Sequence, residues 1–364
     1  MALGFPTRRV REGLVELLVP DVPQGPGPGT RSALPFYNPT TAVNRDVSAA
    51  ALARWPTPLR EVLDGLAGTG AWGIRMALEA AAGGLVFNDG LASSGDLVRA
   101  NLERNRVDGE VLTSGLNGLL ASREFDFVDI DPFGPPTPFL EAFFRTARTP
   151  SGVGITATDV APLAGTYPEA CVRRYGARPL RCPQGHEIGL RILLGHAERM
   201  ARGHGRSLRP LVAFSAEHFL RVNALVVPAG PDDPKPPVGH VVRTADGAFE
   251  PVPAARNDAL GPLWLGHLVD ASFAKRLMPT EATSPAGVRL LARLADEAEM
   301  PAFFTSTAEL AARLRTSPPK FDRYLEALRG AGFRATRTHF DPLGVKTDAP
   351  HADAVRVFRS VVEA

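Results

Sequence analysis

Short apolar runs alternate with stretches of helical spacing through most of the chain. Glu61-Val62-Leu63-Asp64 reads as a buried strand, and Leu66 to Gly73 follows as a Gly-rich turn that opens into a helix at Ile74-Arg75-Met76-Ala77-Leu78-Glu79. Strands are predicted again at Leu85-Val86-Phe87-Asn88-Asp89, Phe125 to Ile130, Gly152 to Asp159 and Leu211 to Ser215, with helices at Phe139 to Arg148 and Ile188 to Arg202. Strands that alternate with helices imply a mostly parallel sheet covered on both faces. Pro228 to Pro237 holds five prolines and can continue neither element, so it marks a domain boundary. Helical patterns at Ala286 to Glu299, Thr307 to Leu314 and Lys320 to Leu328 then precede the basic strand Arg334 to Phe340, an order like that of a winged helix. The expected organisation is an α/β domain over residues 1–230 and a smaller α+β domain over 240–364. Pro23 to Gly29 is the other biased segment, a Pro- and Gly-rich loop.

The sharpest chemical signal is Asp131-Pro132-Phe133-Gly134, at the end of the apolar run Phe125 to Ile130. A strand that stops there holds a carboxylate and an aromatic ring at the rim of the sheet. Methylation of an exocyclic amine on a nucleobase needs that pair, because the nitrogen lone pair is delocalised and the base is flat. Asp131 would accept a hydrogen bond from the amine and take up its proton, and Phe133 would stack on the ring. The Gly-rich turn with Gly68 and Gly70 follows Asp64, and Asp89 ends the next strand about 20 residues on, the spacing of a carboxylate that reaches a ribose hydroxyl. The glycines fit G-x-G-x-x-G poorly and no phosphate-binding lysine follows, which favours S-adenosylmethionine over a pyrophosphate cofactor.

Composition changes the picture in two places. With two cysteines, Cys171 and Cys182, neither a disulfide framework nor a four-cysteine zinc site can be built, and Cys182 with His186 supplies only two ligands. Net charge is +2, yet between Cys171 and Arg221 ten arginines face three acids. That local excess suits a phosphate backbone. No apolar run approaches ~18 residues and the N-terminus lacks the apolar stretch of a signal peptide, so a soluble, cytoplasmic protein with no membrane partner is expected.

The chain resembles the tRNA guanine-26 N2-dimethyltransferases of archaea and eukaryotes. The resemblance is carried by Glu12-Gly13, Phe36-Tyr37-Asn38-Pro39, Asn44-Arg45-Asp46, Gly73-Ile74-Arg75, Asn88-Asp89, Asp129 to Gly134, Thr156-Ala157-Thr158-Asp159, His186 to Leu193, Gly261 to Gly266, Thr338-His339-Phe340 and Gly344 to Thr347. It implies a Rossmann-like class I methyltransferase domain with a smaller C-terminal domain, S-adenosylmethionine as cofactor, and transfer of one and then two methyl groups to guanine N2 in tRNA. By the same resemblance Arg45 and Arg75 would contact the cofactor and Asp89 its ribose. Asp131 would be the catalytic carboxylate, and Phe36 and Phe133 would bracket the guanine. Family members usually carry an acid after the third strand to recognise adenine. Here the stretch is Leu112-Thr113-Ser114-Gly115-Leu116-Asn117, which leaves Ser114 or a backbone carbonyl for that task. Arg173 and Arg174, and in the C-terminal domain Arg334, Arg337 and Lys346, are the expected tRNA contacts. Two other readings stay open: an amino-methyltransferase for adenine N6 or a protein amide, and a noncatalytic RNA-binding protein of the same fold.

Overall fold

The structure, a computed structural model, describes residues 3–22, 33–230, 233–254 and 256–363. The Pro- and Gly-rich loop from Pro23 to Gly29 lies outside the described residues, as do Pro231 and Asp232 of the proline-rich break. The strands and helices are, in chain order, β1 (Thr7–Glu12), β2 (Val15–Pro20), α1 (Ala42–Leu52), β3 (Val62–Asp64), α2 (Ala71–Ala80), β4 (Leu85–Asn88), α3 (Ala92–Asn105), β5 (Glu110–Leu112), α4 (Leu116–Ser122), β6 (Phe127–Ile130), α5 (Thr137–Thr146) and β7 (Ser151–Ala157). They continue as α6 (Val160–Leu163), α7 (Pro168–Tyr175), α8 (Gly185–Gly203), β8 (Arg206–Ala216), β9 (Phe219–Pro228), β10 (Val238–Arg243), β11 (Phe249–Val252), β12 (Leu260–Trp264), α9 (Ala271–Ala274), α10 (Pro285–Glu297), β13 (Thr305–Ser306), α11 (Thr307–Leu314), α12 (Phe321–Gly330), β14 (Ala335–Arg337), β15 (Gly344–Thr347) and α13 (His351–Glu363).

Two compact units form, and neither is a single stretch of chain. One comprises 1–159, 197–234 and 275–291; the other comprises 160–196, 235–274 and 292–364. The break expected between 230 and 240 is therefore one of several crossings. Contiguous domains are not what the packing selects, because 160–196 and 275–291 each pack with chain distant in sequence.

The first unit holds a seven-stranded sheet in the order β5-β4-β3-β6-β7-β9-β8. The five strands from β5 to β7 are parallel, and β9 and β8 close one edge antiparallel. Central strands of such a sheet are buried on both faces, which is why β3, β6 and β7 are buried throughout and read as apolar runs. Connections run outward from β3 to β4 on one side, while β6 lies on the other. This makes a switch point between β3 and β6, where the crevice beyond the strand ends receives ligands.

In the second unit β13, β15 and β14 form a three-stranded antiparallel sheet joined by α11 and α12, the winged-helix order. Tyr324, Leu328, Val345 and Phe358 anchor its core. A second three-stranded sheet, β11-β10-β12, belongs to this unit. Among the described residues no helix is long and apolar enough to cross a membrane.

Candidate active site

A cavity of about 410 Å³ opens at the switch point, within the size range of small-molecule sites. Asp64 at the end of β3, Asp89 after β4, and Asp129 with Asp131 at the end of β6 all line it. Gly68 lines it as well, with φ near +53°; a side chain there would also drive a Cβ to 2.8 Å from the carbonyl oxygen of Phe36. The Gly-rich turn is held by carboxylates. Asp89 accepts from the amides of Gly68 and Leu91, each at 2.9 Å, and Asp64 accepts from the amide of Gly73 at 3.0 Å. Asp89 thus joins the turn after β3 to the start of α3, and its oxygens keep lone pairs for a diol.

Arg45 brings the only guanidinium among the described lining residues. Glu12 grips it at 2.6 Å and 2.7 Å, and Thr41 and the Asn38 carbonyl accept two more of its five protons. Burial would raise Glu12, yet Arg45 and Arg75 hold its carboxyl down at about 2. The lining otherwise combines Leu66, Trp72 and Leu91 with backbone of the turn. Two carboxylates, one arginine and an apolar slot fit a cofactor made of an amino acid, a ribose and a flat base. A pyrophosphate would find few cations here.

Phe36, Phe133, Pro132, Phe139, Thr158 and His218 complete the wall near Asp131. Burial, and then the charge of Asp129, push the Asp131 carboxyl up to about 6, against the opposing pull of Arg221, Arg45 and Thr156. Such a group is mostly ionised at neutral pH and still basic enough to hold a proton. Phe133 is exposed and meets Phe36 edge to face, with centroids 4.7 Å apart. No base fits between the rings as they stand, so bracketing requires the rings to part. In this structure Phe133 offers its ring at the rim while Phe36 supports it.

Four expected contacts fall elsewhere. Arg75 is wholly buried, and its guanidinium is taken up by Glu12, Asp46 and Glu79 at 2.6 to 3.0 Å. Three carboxylates within reach leave it no role but to tie the first hairpin to α1 and α2. Gly70 takes a left-handed conformation as the N-cap of α2 and lies outside the lining. Ser114 spends its hydroxyl on Asn88 at 2.8 Å and also lies outside the lining, so adenine recognition by that side chain is not supported. Lys346 is buried, with its Nζ 2.7 Å from Glu187 and 3.1 Å from the carbonyl of Pro301, and cannot reach a phosphate. Arg173 and Arg174 are exposed on α7. Arg334 is exposed beside Asp348 and Glu299, whereas Arg337 pairs with Asp322 and lies over the Phe321 ring.

The arginine-rich stretch is also less basic than it reads. Arg191 and Arg221 are buried against Glu187 and Asp129, because ion pairs formed within each unit neutralise them. Sequence reasoning missed Glu12 as a partner of Arg45, and His218 and Phe219 on the wall. The contact of Glu12 spans 33 positions and that wall comes from a distant hairpin, so no local pattern marked them.

The strand order and the Gly-rich turn after β3 define a class I methyltransferase fold, and the carboxylate of Asp131 with the Phe133 ring lines its cavity at the end of β6. The model of the N2,N2-dimethylguanosine tRNA methyltransferases matches residues 26–235 and 250–359, and the chain belongs to that family. It is similar to the tRNA (guanine(26)-N(2))-dimethyltransferase of Thermococcus kodakarensis, 36% identical with 97% of this chain and 99% of the relative covered. That of Pyrobaculum arsenaticum is also 36% identical, with 97% and 98% covered. Among solved structures, Trm1 from Pyrococcus horikoshii with S-adenosyl-L-methionine matches at a TM-score of 0.86 and 32% identity, over 96% of this chain and 99% of that one.

Proposed function

We propose that this chain transfers one and then a second methyl group from S-adenosylmethionine to the exocyclic N2 of guanine 26 in tRNA. The observation that carries this reading is the Asp131 carboxylate beside the Phe133 ring, on one wall of a cavity whose other wall is the Gly-rich turn. S-adenosylmethionine, when bound, supplies a methyl group already activated as a sulfonium. Arg45 would hold its carboxylate, Asp89 its ribose hydroxyls, and Asp64 with Gly68 the amino-acid end. Those groups leave Asp131 to act on the guanine.

Asp131 accepts a hydrogen bond from an N2 proton, which fixes the nitrogen in line for transfer, and takes up that proton as the methyl moves. Once Asp131 has released the proton to solvent and the spent cofactor has been exchanged, the remaining N–H is used in the same way after the amine turns. Guanine 26 sits in a stacked junction, so it must leave the stack to reach the carboxylate, where Phe133 replaces part of the lost stacking. Arg173, Arg174, Arg334 and Arg337 fit phosphate contacts that set register without reading sequence. A tRNA-modifying enzyme of this kind belongs in the cytoplasm.

Mass spectrometry of nucleosides from an unmodified tRNA transcript, incubated with the protein and S-adenosylmethionine, tests the reading. The expected products are N2-methylguanosine and then N2,N2-dimethylguanosine, both lost when guanine 26 is replaced by adenine. Labelling of an adenine instead would move the chain to another substrate.

A further inference from the structure

The polar residues behind Asp131 form an ordered row across the sheet. By register, Asp64, Asp129, Gly154 and Asn223 stand side by side on β3, β6, β7 and β9. One step toward the strand ends, Thr156 pairs with Arg221, next to the position of Asp131. Arg221 is fully buried. It donates to Asp129 at 2.5 Å, to Thr156 Oγ1 at 3.0 Å, to Asn223 at 2.9 Å and to Ser48 of α1 at 3.3 Å. Thr156, whose hydroxyl oxygen accepts from Arg221, stands in register beside the strand end that carries Asp131 and helps to hold the Asp131 carboxyl down. At Gly154 a Cβ would overlap both the Arg221 guanidinium and the Asp129 carboxylate, so the glycine keeps room for the pair.

Charge balance gives this row its purpose. Asp64 from β3, Asp89 after β4 and Asp129 from β6 line the same cavity as Asp131, and the negative charge of Asp129 opposes the ionisation of Asp131. The cations on the other side are Arg221 from β9 and Arg45 from α1; His218, from the turn between β8 and β9, and Tyr37 line the same cavity. Arg45 is already gripped by Glu12. Arg221 is left as the cation that can balance the β6 acids from inside the sheet.

We propose that Arg221 is a positioning residue for methyl transfer: paired with Asp129 and linked through the Thr156 hydroxyl, it keeps the Asp131 carboxylate ionised and turned toward the substrate amine. This rests on the reading of Asp131 given above. Without Arg221, Asp129 stands uncompensated beside Asp131, and the acceptor is protonated at pH values where it now works. Thr156 extends the effect, because its hydroxyl is held by Arg221 next to the Asp131 strand end.

The titration of Asp131 can be read directly, from its side-chain carboxyl carbon by NMR in protein without cofactor or tRNA, with Asp131→Asn to assign the signal. Arg221→Met should raise its midpoint by about 1 unit or more, the effect of losing an opposite charge a few ångströms away. Arg221→Lys should restore much of the shift, and Asp129→Asn combined with Arg221→Met should bring the midpoint back down. Thr156→Val leaves the ion pair intact and should raise the midpoint by less. It carries the test if Arg221→Met does not fold. In the methyl-transfer assay the acid limb should move upward by the same amount as the NMR midpoint. An Asp131 midpoint that stays put in folded Arg221→Met, or in Thr156→Val, overturns the proposal even if the wild-type protein methylates tRNA. Absence of methyl transfer by the wild type would instead overturn the function, which the NMR titration does not depend on.

Discussion

Two clusters of buried charge, one in each unit, differ in what they leave open. In the first, Arg221, Asp129, Thr156 and Asp131 run across the sheet and end at a cavity. In the second, Glu187 of α8 holds Arg191 at 2.8 Å and Lys346 of β15 at 2.7 Å, and the amide of Phe303 donates to the same carboxylate. Arg191 goes on to the carbonyls of Trp264 and Gly266. None of these residues lines the cavity; all the donors meet one oxygen of Glu187, and its second oxygen is buried without a partner. Buried charge alone therefore does not mark a site. What marks one is a charged group at the end of a network, with its last acceptor left toward a cavity.

The largest effect expected from this contrast is catalytic. Asp131→Ala should lower methyl transfer by roughly 10² to 10⁴-fold, the usual contribution of a positioned base, while S-adenosylmethionine affinity by calorimetry stays nearly unchanged. Wild-type activity should rise with pH through about 6, because only ionised Asp131 accepts the proton and burial with Asp129 holds its carboxyl there. A variant that turns over normally would mean that another group takes the proton, and the open cluster would be as structural as the closed one.

The closed cluster should answer in stability. Burial would raise Glu187, but Lys346 and Arg191 hold it at about 2, below the 4.5 of an unperturbed glutamate. A carboxylate lowered in this way adds stability above about pH 4.5 and loses it as pH falls toward 2. Removing one partner of a buried ion pair costs about 3–5 kcal/mol, and since Arg191 remains, Lys346→Met should fall near the lower end. Its acid unfolding should also begin at higher pH, with cofactor affinity unaltered. Urea unfolding followed by fluorescence measures this. A midpoint equal to wild type would make Lys346 a candidate for binding phosphate again.

The same contrast explains what could be read from the residues alone. β3, β4, β6 and β7 were legible because central parallel strands are continuous apolar runs, and Asp64, Asp89 and Asp131 because each ends one of them. The hairpin of β1 and β2 alternates like an exposed ribbon, and nothing local says that Glu12 closes on Arg45 and Arg75 from one end of it. Arg75, Arg221 and Lys346 look like surface cations in sequence. Glu79 meets Arg75 at helical spacing, but the other carboxylates that bury these cations lie 29 to 159 positions away, a pairing that no periodicity encodes. Contiguous domains failed for the same reason.

The smallest effect separates two exposed arginines. Arg173 lies in the last turn of α7, whereas Arg334 already meets Asp348 at 2.8 Å. A phosphate must compete with that carboxylate for Arg334, so less of its charge is open to it. Removing one arginine that neutralises a phosphate should lower the slope of log affinity against log salt by about 0.9, taking the duplex value. Replacing Arg173 by alanine should therefore flatten the slope more than replacing Arg334, and both changes should weaken all tRNAs alike because binding to phosphates carries no sequence information. Filter binding of several transcripts across a salt series gives both slopes. If Arg334 mattered more, its carboxylate would have to release it on binding, and ion pairing would not withhold charge at the surface as it does in the interior.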